Sequence, residues 1–427
     1  MAKKEIEQTE IEAPYELPEG WKWCRLGEVA DWGSGGTPSR KNPKYYQGSI
    51  PWIKTGELNE TYIFDSEEKV SEDAIKHSSA KIFPKETVVM AMYGATIGKT
   101  AIFGIDASTN QACACAICHK ELDNHFLFNF LKSKKDYFLY NAKGGAQPNI
   151  SQEIIKNTLI PLPPTLAEQQ RIVNRIESMF AKLDEAKEKA QNVVDGFETR
   201  KAAILHKAFT GELTAKWRKE NGISDDSWIE KKLQDVCIKE ITDGTHKTPI
   251  YVDEKTGIPF ISGKDVSNEI IDWSDLRYIP KVLHEELYAR LAPQIDDILL
   301  SKNGARLGKA AIVETNMIFD IYVTLALLRP NKKIIFPKYL WRVINSPSIQ
   351  SQIQNHLTGI GMPNLHLRDI KALSMFLPTL PEQVEIVRIL DIIIEKENKA
   401  KQAAETVLEQ IDLLKKSILA RAFCGEL

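Results

Sequence analysis

Long apolar runs are missing from this sequence. No stretch of its 427 residues approaches the roughly 18 consecutive apolar residues that a membrane-spanning helix needs. The N-terminal residues MAKKEIEQTEIEAP are charged and are not followed by the apolar core of a signal peptide. We therefore expect a cytoplasmic protein with no membrane partner. Apolar residues make up 43% of the chain and charged residues 27%, as in ordinary globular proteins, and the length allows two or more domains.

Cysteine is scarce, and half of the six cysteines fall in one short stretch, CACAICH. That stretch could be read as a haem-attachment motif from Cys115 to His119 or as part of a metal site. The alternation of cysteine with alanine instead favours a buried strand, in which a free cysteine acts as a small apolar residue. We favour the strand and expect no cofactor at this place.

Catalytic motifs are also lacking. The sequence contains no H-E-x-x-H or G-x-S-x-G motif, and an amino-methyltransferase loop is absent because Asn42-Pro43 is followed by Lys44 rather than a second proline. The stretch GATIGKT resembles a phosphate-binding loop, but only three residues separate Gly94 from Gly98, where that loop needs four. We expect this chain to have no enzymatic activity of its own and to hold no nucleotide or metal.

The sequence does contain a long internal repeat. QPNISQEIIKNTLIPLPPTLAEQQRIVNRI, from Gln147, corresponds to MPNLHLRDIKALSMFLPTLPEQVEIVRIL, from Met362, and AFTGEL at 208–213 corresponds to AFCGEL at 422–427. Earlier segments match more loosely but in the same order: WKWCRLGEV with WIEKKLQDV, GSIPWIKTGEL with TGIPFISGKDV, and GATIGKTAI with GARLGKAAI. Each half therefore consists of a variable globular part followed by a better-matched tail.

The two tails predict long helices. Apolar residues recur every three or four positions from Glu168, until the stripe thins near Arg200, and again from Glu382. Gly211 and Gly425 lie where helices end. Each helix could run for about 40 residues, or roughly 60 Å at 1.5 Å per residue. Each apolar stripe could pack on its own globular part, but we favour an antiparallel coiled coil with pseudo-two-fold symmetry.

These patterns predict the boundaries of the domains and their class. We expect globular domains at 1–166 and 214–380 and helical spacers at 167–213 and 381–427. TVVMAMYG with KTAIFG, and DDILLSKNG with KAAIVE, predict paired strands around a turn. NHFLFNFLKSKKDYFLYNAK and PKYLWRVINSPSIQSQIQNHLTG predict helices that end before turns at Gly144-Gly145 and Gly359. The predicted class is mixed α/β (α+β), duplicated, with the two domains joined by the antiparallel helices.

Basic loops indicate a nucleic-acid partner despite a formal net charge of -2, because binding depends on a patch rather than on the average. No acidic residue occurs between Asp31 and Glu57, whereas cations alternate there with aromatic residues. Segments DGTHKTP and SKNGARLGKA are lesser counterparts in the second half. A solvated loop is the alternative, but we favour double-stranded DNA as the partner. The expected DNA-contacting residues are Ser34, Thr37, Ser39, Arg40, Lys41, Lys44, Tyr45, Lys54, Lys99, Thr245, His246, Lys247, Lys264, Lys302, Arg306 and Lys309.

The combined motifs resemble the specificity subunit of type I restriction-modification enzymes. The resemblance covers nearly the whole chain and is carried by P-x-G-W, GGTPS, IPWIKTGEL, GATIGKT, QPNIS, IPLPPTLAEQQRIV and the repeated AF-x-GEL. It implies two target recognition domains that read the two halves of a bipartite, asymmetric DNA site. It also implies helical spacers that fix the distance between the half-sites and bind two adenine methyltransferase subunits, which restriction subunits can join.

That resemblance assigns S-adenosylmethionine and ATP to the partner subunits, so no cofactor is expected for this chain. The second half departs from the pattern, since DGTHKTP replaces GSGGTPSRKNP and MPNLH replaces QPNIS. Two other hypotheses remain open from the residues alone. One is a coiled-coil scaffold that holds partner proteins without reading bases, and the other is a self-sufficient methyltransferase or NTPase.

Overall fold

Two compact units make up the chain. The computed structural model describes residues 13–144, 148–267, 269–357 and 363–427. Unit 1 comprises Met1–Gln191 and Thr406–Leu427, and unit 2 comprises Asn192–Glu405. Each unit thus combines a globular part with segments of both long helices. Gly145 and Gly359, where we expected turns, and Gln147 and Met362, where two repeat segments begin, lie outside the described residues.

Unit 1 mixes short strands with helices. Its strands are Lys22–Arg25, Ala30–Ser34, Ile50–Ile53, Tyr62–Ile63, Glu68–Val70, Ile82–Phe83, Val88–Ala91, Thr100–Phe103, Ala107–Thr109, Cys113–Cys118 and Leu159–Leu162. Its globular helices are Leu26–Val29, Glu72–Lys76, Asn124–Ser133, Lys135–Tyr140 and Gln152–Asn157. The long helix Leu166–Asp195 follows them.

Two sheets form the body of unit 1. The five-stranded sheet has the order Ala30–Ser34, Cys113–Cys118, Val88–Ala91, Thr100–Phe103, Tyr62–Ile63, and the four-stranded sheet has the order Glu68–Val70, Ile50–Ile53, Ala107–Thr109, Ile82–Phe83. The predicted hairpin around GATIGKT is confirmed, because Val88–Ala91 and Thr100–Phe103 pair antiparallel. The cysteine-rich stretch is a strand whose Cys113 and Cys115 are fully buried, as its alternating pattern predicted.

Unit 2 has a similar succession of strands and helices. Its strands are Ile229–Lys232, Thr242–Asp243, Gly257–Ile261, Val266–Ser267, Ile270–Ile271, Arg277–Pro280, Ile298–Ser301, Ala310–Ile312, Asp320–Ile321, Leu325–Leu328 and Ser374–Leu377. Its helices are Phe197–Phe209, Ala215–Glu220, Lys281–Arg290, Pro337–Ile344, Pro347–His356 and Leu367–Ala372, with the first part of Leu380–Phe423.

The sheets of unit 2 follow the strand order of those of unit 1, but each has one edge strand fewer, and Val266–Ser267 and Ile270–Ile271 form a separate two-stranded sheet. One sheet has the order Thr242–Asp243, Leu325–Leu328, Ile298–Ser301, Ala310–Ile312, and a second has the order Arg277–Pro280, Gly257–Ile261, Asp320–Ile321. Each unit also pairs its first strand antiparallel with the strand before its long helix. The predicted duplication and the mixed α/β class are therefore confirmed at the level of strand order.

Inside each unit, segments of the two long helices run antiparallel, as predicted for the spacers. In unit 1, Arg171 near the start of one helix donates to the backbone oxygen of Leu427 at 2.7 Å. In unit 2, Arg200 Nε donates to Glu397 Oε2 at 2.8 Å. The starts of the helices also pack on their own globular parts, since Ile172 and Ile386 are completely buried in the respective cores. Among the described residues, no helix is apolar over enough length to cross a bilayer.

The first long helix is interrupted where the second is continuous. Leu166–Asp195 and Phe197–Phe209 are separated by Gly196, whereas Leu380–Phe423 runs unbroken. Glycine weakens a helix because it has the largest backbone freedom to lose. Arg200 folds back at this break and donates to the carbonyl of Val193 at 2.8 Å. The apolar stripe that thins near Arg200 in the sequence thus marks a real interruption.

A glutamine that occurs in both copies of the repeat forms the same type of hydrogen bonds in both units. In unit 1, Gln169 accepts from the amide of Asp123 at 2.8 Å and donates to the carbonyl of Glu121 at 2.9 Å. In unit 2, Gln383 accepts from the amide of Phe336 at 2.7 Å and donates to the carbonyl of Ile334 at 3.0 Å. Both side chains are buried, so each holds the segment that precedes a globular helix against the start of a long helix.

Candidate nucleic-acid interface

Corresponding loops leave the edge strands of the two units. In unit 1, the amide of Gly36 donates to the carbonyl of Thr109 at 2.9 Å, and a Cβ at Gly35 would lie only 1.9 Å from that oxygen. In unit 2, a Cβ at Gly244 would lie 2.0 Å from the carbonyl oxygen of Ile321. Only glycine permits this approach, so GSGGTPSRKNP and DGTHKTP begin in the same place although their sequences differ.

Arg40 is the most constrained cation of the unit 1 loop. Its guanidinium carbon lies 4.0 Å from the ring centroid of Tyr46 and 5.4 Å from that of Trp52. Tyr46 donates to the carbonyl of Pro38 at 2.7 Å, and the buried Trp52 indole donates to the carbonyl of Gly36 at 3.0 Å. Hydrogen bonds to the loop backbone therefore hold both rings under Arg40 in place. The side chain of Arg40 itself remains 56% exposed.

The same arginine is held by a carboxylate from a neighbouring strand. Arg40 Nη1 donates to Glu68 Oε2 at 2.6 Å and Nη2 donates to Oε1 at 3.2 Å. Lys54 Nζ lies 3.1 Å from Glu68 and 3.1 Å from Glu67. The Arg40 guanidinium lowers the pKa of Glu68 below its ordinary value. The stretch between Asp31 and Glu57 has no acidic residue of its own, but in the folded protein its cations contact carboxylates from a later segment.

The remaining expected residues of this loop differ in exposure. Ser39, Lys41 and Lys44 are exposed, whereas Ser34 and Tyr45 are half-buried. Thr37 is exposed and donates its hydroxyl to Gln111 at 2.6 Å. Tyr45 packs beside the buried cluster that contains Trp52 and Val70. The loop therefore offers two lysines and one arginine at the surface.

The GATIGKT hairpin lies at the end of the other sheet of unit 1. Gly94 and Gly98 both have positive φ, at 64° and 80°, and a short helical turn spans Gly94–Thr96. The turn is followed by a strand rather than by a helix, so it has none of the helix-terminal geometry of a phosphate-binding loop. Lys99 is half-buried and forms no ion pair with any residue that the structure describes.

In unit 2, a buried ion pair lies where the loop at Gly244 begins. Lys302 Nζ donates to Asp243 Oδ2 at 2.5 Å, and both side chains are less than one-tenth exposed. His246 Nε2 lies 3.2 Å from the other oxygen of Asp243, with its own side chain 75% exposed. Thr245 is half-buried and Lys247 is exposed. The structure thus presents His246 and Lys247 at the surface and encloses the ammonium of Lys302.

A cleft of about 370 Å³ gathers further cations of unit 2. Lys264, Arg277 and Arg306 line it together with aromatic rings and the short turn Gly304–Arg306. Arg306 Nη1 donates to Ser267 at 2.5 Å, and Lys264 Nζ lies 3.4 Å from Asp275. Lys309 is exposed on the same hairpin as Arg306 but does not line the cleft. Cations, hydroxyls, amides and aromatic faces are the groups that bind DNA phosphates and bases.

Sequence reasoning missed Arg277 and Glu68. Arg277 stacks over the ring of Tyr251, with its guanidinium carbon 4.7 Å from the centroid, and donates to the Tyr251 hydroxyl at 3.2 Å. Glu68 pairs across the sheet with Trp52, and Arg277 pairs in the same way with Phe260. Neither residue stands in a motif. The only sequence signal is the repeat of IPWI as IPFI, which locates their partner strands.

Comparisons with known proteins agree with the duplicated plan. Residues 18–194 and 225–410 match the family model described as the type I restriction modification DNA specificity domain. The type I restriction enzyme EcoKI specificity subunit of Escherichia coli K12 is 25% identical, with 96% of this chain and 90% of that protein covered. The MjaIX specificity subunit of Methanocaldococcus jannaschii is 26% identical, with 99% and 96% covered.

A solved structure shares the fold. The crystal structure of the HsdS subunit from Thermoanaerobacter tengcongensis has a TM-score of 0.67 to this chain at 21% sequence identity, and the match covers 97% of this chain and 100% of that one. The family match extends over most of the chain and occurs once in each half. The chain therefore belongs to the family of type I restriction-modification DNA specificity proteins.

Proposed function

We propose that this chain is the subunit that selects the DNA sequence for a type I restriction-modification complex. The observation that carries the proposal is the double family match, at 18–194 and 225–410, on two units whose shared strands have the same order. Two similar but non-identical domains suit a site with two different half-sequences. A duplex reader of this kind contacts half-sites at a separation set by its own geometry.

Each segment has a separate task in this proposal. Residues 1–166 and 214–380 act as target recognition domains, and residues 167–213 and 381–427 act as spacers. The antiparallel contacts of Arg171 with Leu427 and of Arg200 with Glu397 support a strut built from both spacers. The strut fixes the gap between the half-sites and docks two DNA adenine methyltransferase subunits, which restriction subunits join.

The chain itself acts without catalysis in this proposal. It supplies contacts to double-stranded DNA, and its partner subunits bind the nucleotide and methyl-donor cofactors. The exposed cations of the two loops and of the second hairpin provide phosphate contacts, together with the half-buried Lys99 of the first hairpin: Lys41, Lys44, Lys247, Arg306 and Lys309. Since the DNA of a prokaryotic cell lies in the cytoplasm, we place the complex there.

DNA binding by the assembled complex separates this proposal from a scaffold that never reads bases. We expect the affinity for DNA to fall steeply with salt, because each neutralised phosphate contributes a slope of about 0.9 in log affinity against log salt. We also expect binding to one bipartite sequence at least about 10³-fold tighter than to random DNA. Equal affinity for all sequences, measured with the methyltransferase subunits present, would favour the scaffold.

A further inference from the structure

Both units build a stacked arginine in the same place from different parts of the chain. Trp52 and Phe260 are corresponding residues of IPWI and IPFI, and each is 2% exposed. Each lies on a strand that pairs antiparallel with one neighbour and parallel with another. A tyrosine packs against each of them: Tyr46 lies 5.8 Å from Trp52, and Tyr251 lies 6.3 Å from Phe260, between ring centroids.

The arginine on this aromatic pair comes from a loop in unit 1 and from a strand in unit 2. Arg40 lies over Tyr46 and Trp52, whereas Arg277 lies over Tyr251. The strand position that holds Arg277 in unit 2 holds Glu68 in unit 1, and Glu68 binds Arg40. The charge at that position is therefore opposite in the two units, yet a guanidinium lies over the tyrosine of the aromatic pair in both.

The edge of the guanidinium that stays free is the same in both units. Arg40 uses one N–H of Nη1 and one of Nη2 for Glu68, and Arg277 uses Nη1 for Tyr251. No hydrogen bond within the described residues involves Nε of either arginine. Nε–H and the adjacent N–H of Nη2 therefore remain as two parallel donors, which match the O6 and N7 acceptors of guanine in the major groove.

Local charge favours a base edge over a phosphate as the ligand. Arg40 and Lys54 are paired with Glu67 and Glu68, so these four side chains together carry no net charge. In unit 2, Asp275 lies 3.4 Å from Lys264 in the cleft that Arg277 lines. A phosphate would gain less attraction from the carboxylate-paired Arg40 than from an unpaired cation, whereas a neutral guanine would meet two donors that are already oriented.

We propose that Arg40 and Arg277 are the specificity-determining residues of the two half-sites, each forming a bidentate pair with one guanine. This assignment rests on the proposed function and adds the residue and the base to it. Glu68 acts as a positioning residue for Arg40, and Tyr251 does so for Arg277. Each half-sequence accordingly contains at least one guanine on one of its strands.

The test begins with the adenine methylation motif of cells that express the whole complex. The wild-type motif is expected to contain a guanine in each half. Arg40→Ala relaxes the requirement for guanine in one half of the motif only, and Arg277→Ala relaxes it in the other half. Discrimination between guanine and the other bases at the affected position falls about 5- to 150-fold. The untouched half serves as an internal control for folding. Arg40→Lys and Arg277→Lys, which keep the charge and the stacking but lose the fork, relax the same positions.

A chemical probe then separates reading from a structural role. In binding assays with the purified complex, 7-deazaguanine at the assigned position removes N7, so it weakens binding of the wild type but has no further effect on Arg40→Ala. The assignment is wrong if a half-motif lacks guanine, or if the arginine variants weaken all sequences equally with a smaller salt slope. It is also wrong if 7-deazaguanine weakens binding by the wild type and the variant alike.

Deletion of the gene distinguishes failure of this assignment from failure of the proposed function. If deletion leaves every methylation motif in place, the proposed function is wrong, and the assignment that rests on it is wrong too. If deletion removes a methylation motif but the Arg40 and Arg277 variants still methylate only the wild-type motif, the assignment of the two arginines is wrong and the proposed function stands.

Discussion

Glu382 and Glu168 occupy the same position of the repeat but different environments, which makes them a matched pair for a stability test. Glu382 is fully buried, and its Oε1 accepts from Thr214 at 2.6 Å, from Arg218 at 2.7 Å and from Trp228 at 3.2 Å. Arg218 is itself only 8% exposed. Removal of the carboxylate would leave the buried guanidinium with only the exposed Asp225, 2.9 Å from its Nε, as a counter-charge.

The expected cost of Glu382→Ala is large. Breaking a buried ion pair from one side costs about 3 to 5 kcal/mol. For a unit of this size, each kcal/mol lowers the midpoint by about 2 to 4 °C, so the transition of unit 2 should fall by roughly 6 to 20 °C. Glu382→Gln keeps an oxygen acceptor and places an amide nitrogen where Oε2 has no donor among the described residues, so an intermediate loss is expected.

Glu168→Ala is the matched control. The Glu168 side chain is 31% exposed and pairs with Arg171 one turn along the same helix, at 2.8 Å. A pair of this kind contributes at most about 1 kcal/mol. Differential scanning calorimetry of the three variants measures the difference. Equal shifts for Glu382→Ala and Glu168→Ala, or a shift below about 3 °C for Glu382→Ala, would refute the account of the buried pair.

Three further predictions concern the duplicated plan. Gln169→Leu should destabilise unit 1 by about 2 to 5 kcal/mol in chemical denaturation, because it leaves two backbone groups unpaired, whereas Gln170→Leu on the exposed face should have little effect. Lys99→Ala should weaken DNA binding about equally for all sequences and lower the salt slope by about 1 in filter-binding or fluorescence titrations; a changed motif would contradict a phosphate contact. Removal of whole helical turns from Leu380–Phe423 should change the gap between the half-motifs and leave the half-motifs themselves unaltered, whereas altered half-motifs with a constant gap would contradict the role of the spacers.

Sequence patterns were sufficient to predict the elements whose contacts are local or occur in both copies of the repeat. The strands around GATIGKT are short apolar runs that are buried throughout, and the cysteine strand alternates cysteine with alanine. The long helices have an apolar period of about 3.6, which helix geometry ties to burial of one face. The repeat supplied the domain plan, since Gln169 and Gln383 could be aligned before their identical hydrogen-bonding roles were visible.

Strand register and side-chain pairing could not be predicted in the same way. Arg40 and Glu68 are separated by 28 positions and meet only because Trp52 pairs with Glu68 across the sheet. A run of basic residues therefore indicated free cations, whereas the fold supplies carboxylates from a neighbouring strand. Lys302 shows the same limitation, because its burial depends on Asp243 in a distant segment. The interruption at Gly196 was visible only as a weaker stripe near Arg200.

The most direct test of the central claim is adenine methylation across the genome of the host. Single-molecule sequencing would compare cells that carry this gene, cells that lack it, and deleted cells complemented with the intact chain. We expect one bipartite motif to disappear on deletion and to return on complementation while the methyltransferase partner is expressed throughout. Persistence of every bipartite motif after deletion, with active methyltransferase shown in the same cells, would contradict the claim that this chain selects the sequence.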